Sequence, residues 1–122
     1  MISIEEMEAM LDEFASELPQ EFYKELNGGI MLLPEAKFHE KSQNNGLYIM
    51  GEYYRGGNMG RYIAIYYGSF EGVYGHAPVE VLRTELRKTL RHEFRHHLES
   101  LGGERDLEVI DEINIAKYLN NI

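Results

Sequence analysis

The feature that most constrains this chain is a long series of apolar residues at helical spacing in its second half. The chain has 122 residues, and seven apolar side chains recur there every three or four positions: Val79, Leu82, Leu86, Leu90, Phe94, Leu98 and Leu101. That spacing is typical of one buried face of an α-helix. We expect the helix to begin at Pro78, a residue suited to the first helical position, and to end at Gly102-Gly103. The other elements should pack against this face.

Two shorter helices are predicted near the N-terminus. Ser3 and Glu6 stand at the spacing of a capping box, and apolar residues at helical spacing follow them, which predicts a helix over residues 4–18. Pro19 ends that helix and can open a second, short one. Asn27-Gly28-Gly29 is typical of a helix C-terminus, so the second helix should end there.

The middle of the chain predicts strands. Residues 30–33 are a short apolar run typical of a buried strand, whereas residues 34–46 are expected to form a loop. Segments 47–54 and 62–67 are rich in aromatic and β-branched residues around a glycine-rich break, which predicts a β-hairpin. Residues 68–75 contain closely spaced glycines and are expected to form an irregular loop.

With a last helix over residues 106–119, these elements predict a single α+β domain over residues 1–122. We expect N-terminal helices, a short sheet of three to four mostly antiparallel strands, a long helix that carries the site, and a C-terminal helix. The chain contains no internal repeat and no linker that would divide it.

Composition excludes several classes of function. The hydrophobic fraction of 43% indicates a globular protein, and the absence of cysteine excludes disulfides and thiolate metal ligands. The formal net charge of −9 opposes general binding to nucleic acids or anionic membranes. The chain has no apolar stretch of about 18 residues and no basic segment followed by an apolar one at its start, so we expect a cytoplasmic protein.

One stretch departs from the acidic balance. Five basic residues fall close together in the sequence: Arg83, Arg87, Lys88, Arg91 and Arg95. They form either a solvated face that offsets the acidic remainder or a positive rim that attracts acidic partners to a nearby site. The net charge argues against a third interpretation, a nucleic-acid-binding face.

The same helix contains the pattern H-E-x-x-H, as His92, Glu93 and His96. Residues four apart lie on one face of a helix with Cβ atoms about 5–6 Å apart, so two imidazoles at this spacing can bind one Zn²⁺. The glutamate beside the first histidine can then act as a general base.

A helical wheel separates this pattern from the core. The two histidines fall at about 280° and 320°, whereas the apolar residues fall between about 0° and 160°. The histidine pair should therefore face a cleft. His97 falls at about 60°, inside the apolar stripe, so we expect it to be a buried, hydrogen-bonded core histidine.

Two histidines do not complete a zinc site, because catalytic sites usually have three protein ligands. The residues leave three candidates for the third ligand: Asp106 after the glycine pair, Glu99 on the same helix face, and His76 in the loop before the helix. Glu99 lies about 10.5 Å along the helix from His92, which favours an indirect role.

On these residues the chain resembles the small zincin-like metallopeptidases of bacteria, in which a few strands pack on helices and one helix carries H-E-x-x-H. The related aspartate-type zincins carry H-E-x-x-H-x-x-G-x-x-D, with the two histidines and the aspartate on zinc. His92, Glu93 and His96 match that pattern. Gly103-Glu104-Arg105-Asp106 supplies G-x-x-D, four residues later than in the pattern, a distance of about one helical turn.

The resemblance implies a zinc-dependent metallopeptidase acting on peptide or protein substrates. Zn²⁺ would be held by His92, His96 and Asp106, and Glu93 would take the proton of the attacking water. The displaced aspartate motivates an alternative, a non-catalytic binding or regulatory module of the same fold with a degenerate or structural metal site. Neither interpretation includes a nucleic-acid or membrane partner, and the sequence does not identify the oligomeric state.

Substrate alignment is expected to involve the second hairpin strand. The edge of the strand at residues 62–67 could bind an extended peptide by strand addition. Tyr66 or Tyr67 could then donate a hydrogen bond to the oxyanion, although tyrosines in a strand more commonly serve sheet packing.

Overall fold

A computed structural model describes residues 1–41 and 46–104 of the chain. It contains three α-helices, a 3₁₀-helix and five strands. In chain order these are α1 (Ile4–Ser16), the 3₁₀-helix (Gln20–Tyr23), β1 (Gly29–Leu33), β2 (Lys37–Phe38), β3 (Tyr48–Ile49), β4 (Gly51–Tyr54), β5 (Tyr62–Tyr66), α2 (Tyr67–Tyr74) and α3 (Val79–Glu104). Residues 42–45 of the predicted loop and the predicted helix over 106–119 lie outside the described residues.

The strands form two small sheets. The larger has the order β1-β5-β4, with β5 parallel to β1 and antiparallel to β4. The smaller is an antiparallel pair of β2 and β3, so two of the residues expected in a loop, Lys37 and Phe38, belong to a strand. The predicted α+β class is confirmed, and so is the hairpin of β4 and β5. The predicted bounds of its strands are wrong at two ends, because residues 48–49 form β3 and pair with β2, and Tyr67 begins α2.

The first helix follows the capping signal. The backbone N–H of Glu6 donates to Ser3 Oγ at 3.1 Å, and the N–H of Ser3 donates to Glu6 Oε1 at 3.0 Å, which completes the predicted capping box. Each bond satisfies an N–H group that has no partner within the helix. Met7, Leu11 and Phe14 bury the inner face of α1.

One face of α3 lies at the centre of the core. Six of the seven predicted apolar residues are at most 4% exposed: Leu82, Leu86, Leu90, Phe94, Leu98 and Leu101. Val79, in the first turn, is 44% exposed. Full burial of such side chains stabilises the fold by about 1.5–3 kcal/mol each. The predicted stripe is therefore confirmed from Leu82 onward.

The glycine pair does not end α3, as the sequence had suggested. The helix includes Gly102 and Gly103 and extends to Glu104. A glycine at an internal position lowers the stability of a helix by about 1 kcal/mol relative to alanine. Leu98 and Leu101 are buried in the preceding turns, and this burial offsets the cost.

The predicted irregular loop over residues 68–75 is also wrong, because most of it is α2. Its glycines serve close packing rather than turns. A Cβ added at Gly68 would lie 2.4 Å from the backbone N of Ala36, and one added at Gly72 would lie 2.4 Å from the ring of Tyr48. The buried Phe70 anchors the helix.

Replacing Gly68 with alanine should therefore lower the free energy of unfolding by about 1–3 kcal/mol, the usual cost of overpacking. The clash is with backbone, which cannot move aside as a flexible side chain can. Urea unfolding measures the change. Val73→Ala, at a position 49% exposed on the same helix, should change stability by less than about 0.5 kcal/mol. Equal effects of the two substitutions would contradict the packing argument.

Most of the basic stretch contributes to the packing of α3 on α1. Arg83 pairs with Glu13, and Arg87 donates to Glu17, with its Nε 3.1 Å from Oε1. Arg91 reaches the same carboxylate at 3.5 Å. The guanidinium groups of Arg83 and Arg87 also lie over the Phe14 ring, 5.0 and 4.8 Å from its centre, as in cation–π contacts. The predicted solvated face is thus partly an interhelical contact.

No helix in the described part of the chain is long and apolar enough to cross a membrane.

Candidate metal centre

An open cleft of about 640 Å³ runs between β4 and α3. Its lining residues come from these two elements and the residue after β4: Gly51, Glu52, Tyr53, Arg55, His92, Glu93, His96, Glu99 and Ser100. All three residues of the H-E-x-x-H pattern are among them. The prediction that the histidine pair faces a cleft is therefore confirmed.

The two histidines point their ring nitrogens at each other across one helical turn. Nε2 of His92 lies 3.1 Å from Nε2 of His96, and the ring planes are 85° apart. Two nitrogens bound to one tetrahedral Zn²⁺ at about 2.0–2.1 Å are about 3.3 Å apart. The pair therefore has the separation of two ligands on one metal ion.

The electrostatics also favour metal binding by His92. Partial burial lowers the pKa of His92, and the nearby His96 and Arg95 lower it further. A lowered pKa favours the neutral imidazole, which is the form that binds metals. No group of three or more metal-binding side chains occurs within residues 1–41 and 46–104. The described residues thus bring two potential ligands together, one fewer than a catalytic zinc site usually has.

Glu93 stands between the histidine pair and the core. Its side chain is 5% exposed and lines the cleft. It has no hydrogen-bond partner among the residues that the structure describes. Burial raises the pKa of Glu93 to about 7, with a further contribution from the negative charge of Glu52. A carboxyl group in this condition can accept and release a proton near neutral pH.

His97 has a structural role, as predicted. It is fully buried, and its Nε2 donates to the backbone carbonyl of Lys24 at 2.8 Å. Its Nδ1 lies 2.8 Å from the hydroxyl of Tyr53, which donates to it in the tautomer that the first bond requires. His97 therefore connects α3 to β4 and to the segment after the 3₁₀-helix, and it is not a metal ligand.

This burial makes the stability depend on pH. Burial lowers the pKa of His97 below its ordinary 6.5, so below pH 6.5 the unfolded chain binds a proton that the folded chain does not. The stabilisation provided by the neutral, buried His97 is complete above the pKa that this histidine has in the unfolded chain. It is lost as the pH falls below that value. The free-energy difference between wild type and His97→Gln should shrink below pH 6.5 by up to about 1.4 kcal/mol per pH unit.

Urea unfolding of both proteins between pH 8 and pH 5 measures this difference. The raised pKa of Glu93 acts in the opposite direction, but it is common to both proteins and cancels. His39→Gln, at an exposed histidine, should keep the wild-type pH dependence. A His97→Gln difference that stays constant with pH would contradict the expectation.

The other ligand candidates differ in position. Glu99 lines the cleft, but it lies about 10.5 Å along the helix from His92. His76 is exposed before the start of α3, and the helix from there to His92 is about 20 Å long. His76 therefore cannot share a metal with the pair. Asp106 lies outside the described residues.

The expected substrate edge is wrong, because β5 is the central strand and both its sides are paired. In the described part of the chain, β4 is the strand beside the cleft with a free side. The N–H of Tyr66 donates to Met50 O at 3.0 Å. Hydrogen-bonded pairs alternate along an antiparallel ladder, so Glu52 also bonds towards β5. Gly51 and Tyr53 therefore direct their backbone groups away from β5.

The two tyrosines of interest have partners within the protein. The hydroxyl of Tyr67 donates to the carbonyl of Ile2 at 2.6 Å, which is a packing role. The hydroxyl of Tyr66 donates to Glu52 Oε1 at 2.8 Å. Sequence reasoning missed Glu52, although a charged residue within an aromatic strand segment was an available signal.

Glu52 belongs to a partly buried network. Its Oε1 accepts hydrogen bonds from Lys37 Nζ and from the hydroxyls of Tyr54 and Tyr66. Lys37 Nζ also lies 5.6 Å from the ring centres of both tyrosines. Burial would raise the pKa of Glu52, but the bonds from these three groups outweigh burial and lower it. The hydrogen bonds with Glu52 and Tyr54 raise the pKa of Lys37 to about 12.

Comparison with known proteins finds a relative among the solved structures. No family model matches the chain, and neither does any curated protein. A solved structure, of a conserved hypothetical protein (TTHA0227) from Thermo thermophilus, is 34% identical in sequence with a TM-score of 0.75. The match covers 84% of this chain and 100% of that one.

Proposed function

We propose that this chain, which belongs to the same family as the conserved hypothetical protein TTHA0227, is a zinc-dependent peptide hydrolase of the zincin type. The observation that carries the proposal is the arrangement at one end of the cleft. Two imidazole nitrogens lie 3.1 Å apart beside a buried carboxylate. These groups follow one another in the sequence as H-E-x-x-H. In that pattern the two histidines bind Zn²⁺ and the glutamate acts as the general base.

His92 and His96 would hold the metal, and Asp106 is the proposed third ligand. Bound Zn²⁺ supplies a Lewis acid that activates water and polarises a carbonyl group. Glu93 would accept the proton of the attacking water and deliver it to the leaving amine. Its freedom from internal hydrogen bonds among the described residues leaves both oxygens available for that transfer.

The free side of β4 would align the substrate. Gly51 and Tyr53 direct backbone donors and acceptors to that side, and both residues line the cleft. An extended peptide added there would run along the same cleft as the histidine pair. This assigns to β4 the role that the sequence suggested for β5.

Metal analysis combined with a peptide-library cleavage assay tests the proposal. Purified wild type should bind about one Zn²⁺ and should cleave peptides in a chelator-sensitive way. His96→Ala should lose both properties, while His39→Ala, at an exposed histidine, should keep them. Absence of chelator-sensitive cleavage in zinc-loaded wild type would contradict the proposal.

The third ligand has its own test. Asp106→Ala should weaken zinc binding, whereas Asp111→Ala, a matched change five residues later in the sequence, should not. Equal zinc affinity in both variants would exclude Asp106 as a ligand.

One observation favours the second candidate, a non-catalytic binding or regulatory module of the same fold. Only two metal-binding side chains converge in the described residues, which is fewer than a catalytic zinc site normally has. Zinc-loaded wild type that binds peptides without cleaving them would favour this module over the hydrolase.

A further inference from the structure

We propose that the outer edge of β1, together with a groove between β1 and α1, binds an extended, positively charged segment of another protein. β1 and β4 lie at opposite sides of the larger sheet, so this surface is separate from the candidate metal centre. The inference depends on neither zinc binding nor peptide cleavage.

The backbone of β1 directs hydrogen-bonding groups to this edge. The N–H of Tyr66 bonds towards β4, and backbone direction alternates along a strand, so Ile63 and Ile65 direct their N–H and C=O groups towards β1. In a parallel ladder, such residues bond to the neighbours of the residues that they face. The residues that they face are Ile30 and Leu32. The N–H and C=O groups of this pair therefore point outwards, to a side where no described strand lies.

The sequence of β1 contains none of the usual obstacles to pairing at an edge. The strand, Gly29–Leu33, has no charged side chain and no proline, which are features that keep an edge strand from bonding to another chain. The side chains of Ile30 and Leu32 are half-buried and line the groove. The edge is therefore suited to strand addition, in which an extended peptide continues the sheet and places alternate side chains over the groove.

The groove has a volume of about 210 Å³ and an acidic wall. From α1 it is lined by three exposed carboxylates, Glu5, Glu8 and Asp12. These residues stand three and four positions apart, so they lie along one face of the helix. No basic residue in the described part of the chain lines the groove. A wall of one sign attracts ligands of the opposite sign.

The three carboxylates of the groove also lack the internal partners that nearby acidic residues have. Glu13 and Glu17 pair with arginines of α3. No described residue forms a hydrogen bond or an ion pair with the side chains of Glu5, Glu8 and Asp12. Lysine or arginine side chains of a bound segment would supply the matching cations.

A second copy of this chain fits the surface less well. Pairing of two β1 strands would bring the acidic faces of two α1 helices to one interface, and each chain has a formal net charge of −9. Like charges that face each other oppose association. The chemistry of the groove therefore favours a partner segment with basic side chains towards α1.

Two acetylated hexapeptide amides test the inference. One alternates lysine with valine, and the other alternates glutamate with valine, so they have the same length and pattern but opposite charge. Binding to the whole chain is measured by NMR titration with chelator present. The salt concentration is about 0.15 M, at which exposed charges more than about 8 Å apart are largely screened. Amide hydrogen exchange of Ile30 and Leu32 is measured in the same samples.

The lysine peptide should bind wild type about tenfold or more tightly than the glutamate peptide, because three exposed ion pairs replace three like-charge contacts. At a peptide concentration ten times the Kd, exchange of the amides of Ile30 and Leu32 should slow by about tenfold. Slower exchange at these two positions identifies strand addition, because attraction by the carboxylates alone would leave both amides open to water.

Neutralising the groove should remove most of this preference. The triple variant Glu5→Gln, Glu8→Gln, Asp12→Asn should reduce the ratio of the two Kd values to about threefold or less. The control removes the same charge from three exposed positions elsewhere and should keep the wild-type ratio: Glu21→Gln, Glu40→Gln and Glu80→Gln. All six positions are exposed, so both variants should fold.

Three results would overturn the inference. The first is a wild type without charge preference, or a preference that the groove variant retains. The second is binding that leaves the exchange of Ile30 and Leu32 unchanged, because the peptide would then lie elsewhere. The third is slow exchange at these amides that depends on protein concentration without peptide, which would assign the edge to a second copy of the chain.

Discussion

Replacing Glu93 with glutamine should reduce peptide cleavage by about 10²–10⁴-fold, the usual contribution of a general base, while zinc binding is retained. Glutamine has nearly the same shape, but its amide cannot accept the proton of the attacking water. The buried position should tolerate the change, because Glu93 has no hydrogen bond to lose among the described residues. The two imidazoles of His92 and His96 are unaltered, so the metal should remain.

The measurements are kcat/KM on a cleaved library peptide and the zinc content of the purified variant. Glu80→Gln is the matched control, because it makes the same change on an exposed turn of α3, about 20 Å along the helix. It should keep full activity. Cleavage by Glu93→Gln at more than about a tenth of the wild-type rate would exclude Glu93 as the general base.

Phe94→Ala should have the largest effect on stability, lowering the free energy of unfolding by about 3–5 kcal/mol. The side chain is 1% exposed and packs edge-on against Tyr23, with ring centres 5.1 Å apart. Its removal leaves a cavity where α3 meets the segment after α1. Phe94 lies next to Glu93 on the helix that carries the site. Near the temperature at which the variant unfolds, its lower stability should therefore also weaken zinc binding.

Urea unfolding measures the effect, and Val81→Ala provides a control on the same helix at a position 42% exposed. The control should change stability by less than about 0.5 kcal/mol. A loss below about 1 kcal/mol for Phe94→Ala would show that the site collapses around the cavity rather than leaving it open.

The parts of the fold that could be predicted from sequence depend on neighbours along the chain. The capping box of α1 joins Ser3 and Glu6, three residues apart, and the buried stripe of α3 repeats every three or four residues. The histidine pair belongs to the same class, because one helical turn alone brings His92 and His96 together. Such signals need no knowledge of the tertiary structure.

The parts that could not be predicted depend on contacts distant in sequence. The glycines of α2 are read correctly only when Ala36 and Tyr48 are known to lie against Gly68 and Gly72. Without them, the same glycines are typical of a loop. Because β1 pairs in parallel with β5, β5 is the central strand and β4 has an unpaired side. The periodicity within one strand cannot indicate which strands pair.

The site itself divides in the same way. Its α3 half follows from the H-E-x-x-H pattern, but the network around Glu52, a residue of β4 beside the cleft, does not. Lys37 reaches Glu52 from a different sheet, and Tyr66 reaches it from the neighbouring strand. No local pattern brings these three residues together, so the network becomes visible only in the folded chain.

The two hydrogen bonds of His97 have a consequence for the angle at which α3 can sit. His97 follows His96 directly, about 100° further around the helix. Turning α3 about its own axis far enough to take His92 and His96 out of the cleft would pull His97 away from both Tyr53 and Lys24. The two ring nitrogens of the buried His97 would then lose their partners, at about 1–3 kcal/mol each. The core histidine thus sets the rotation of the helix and, through it, the direction in which the two cleft histidines point.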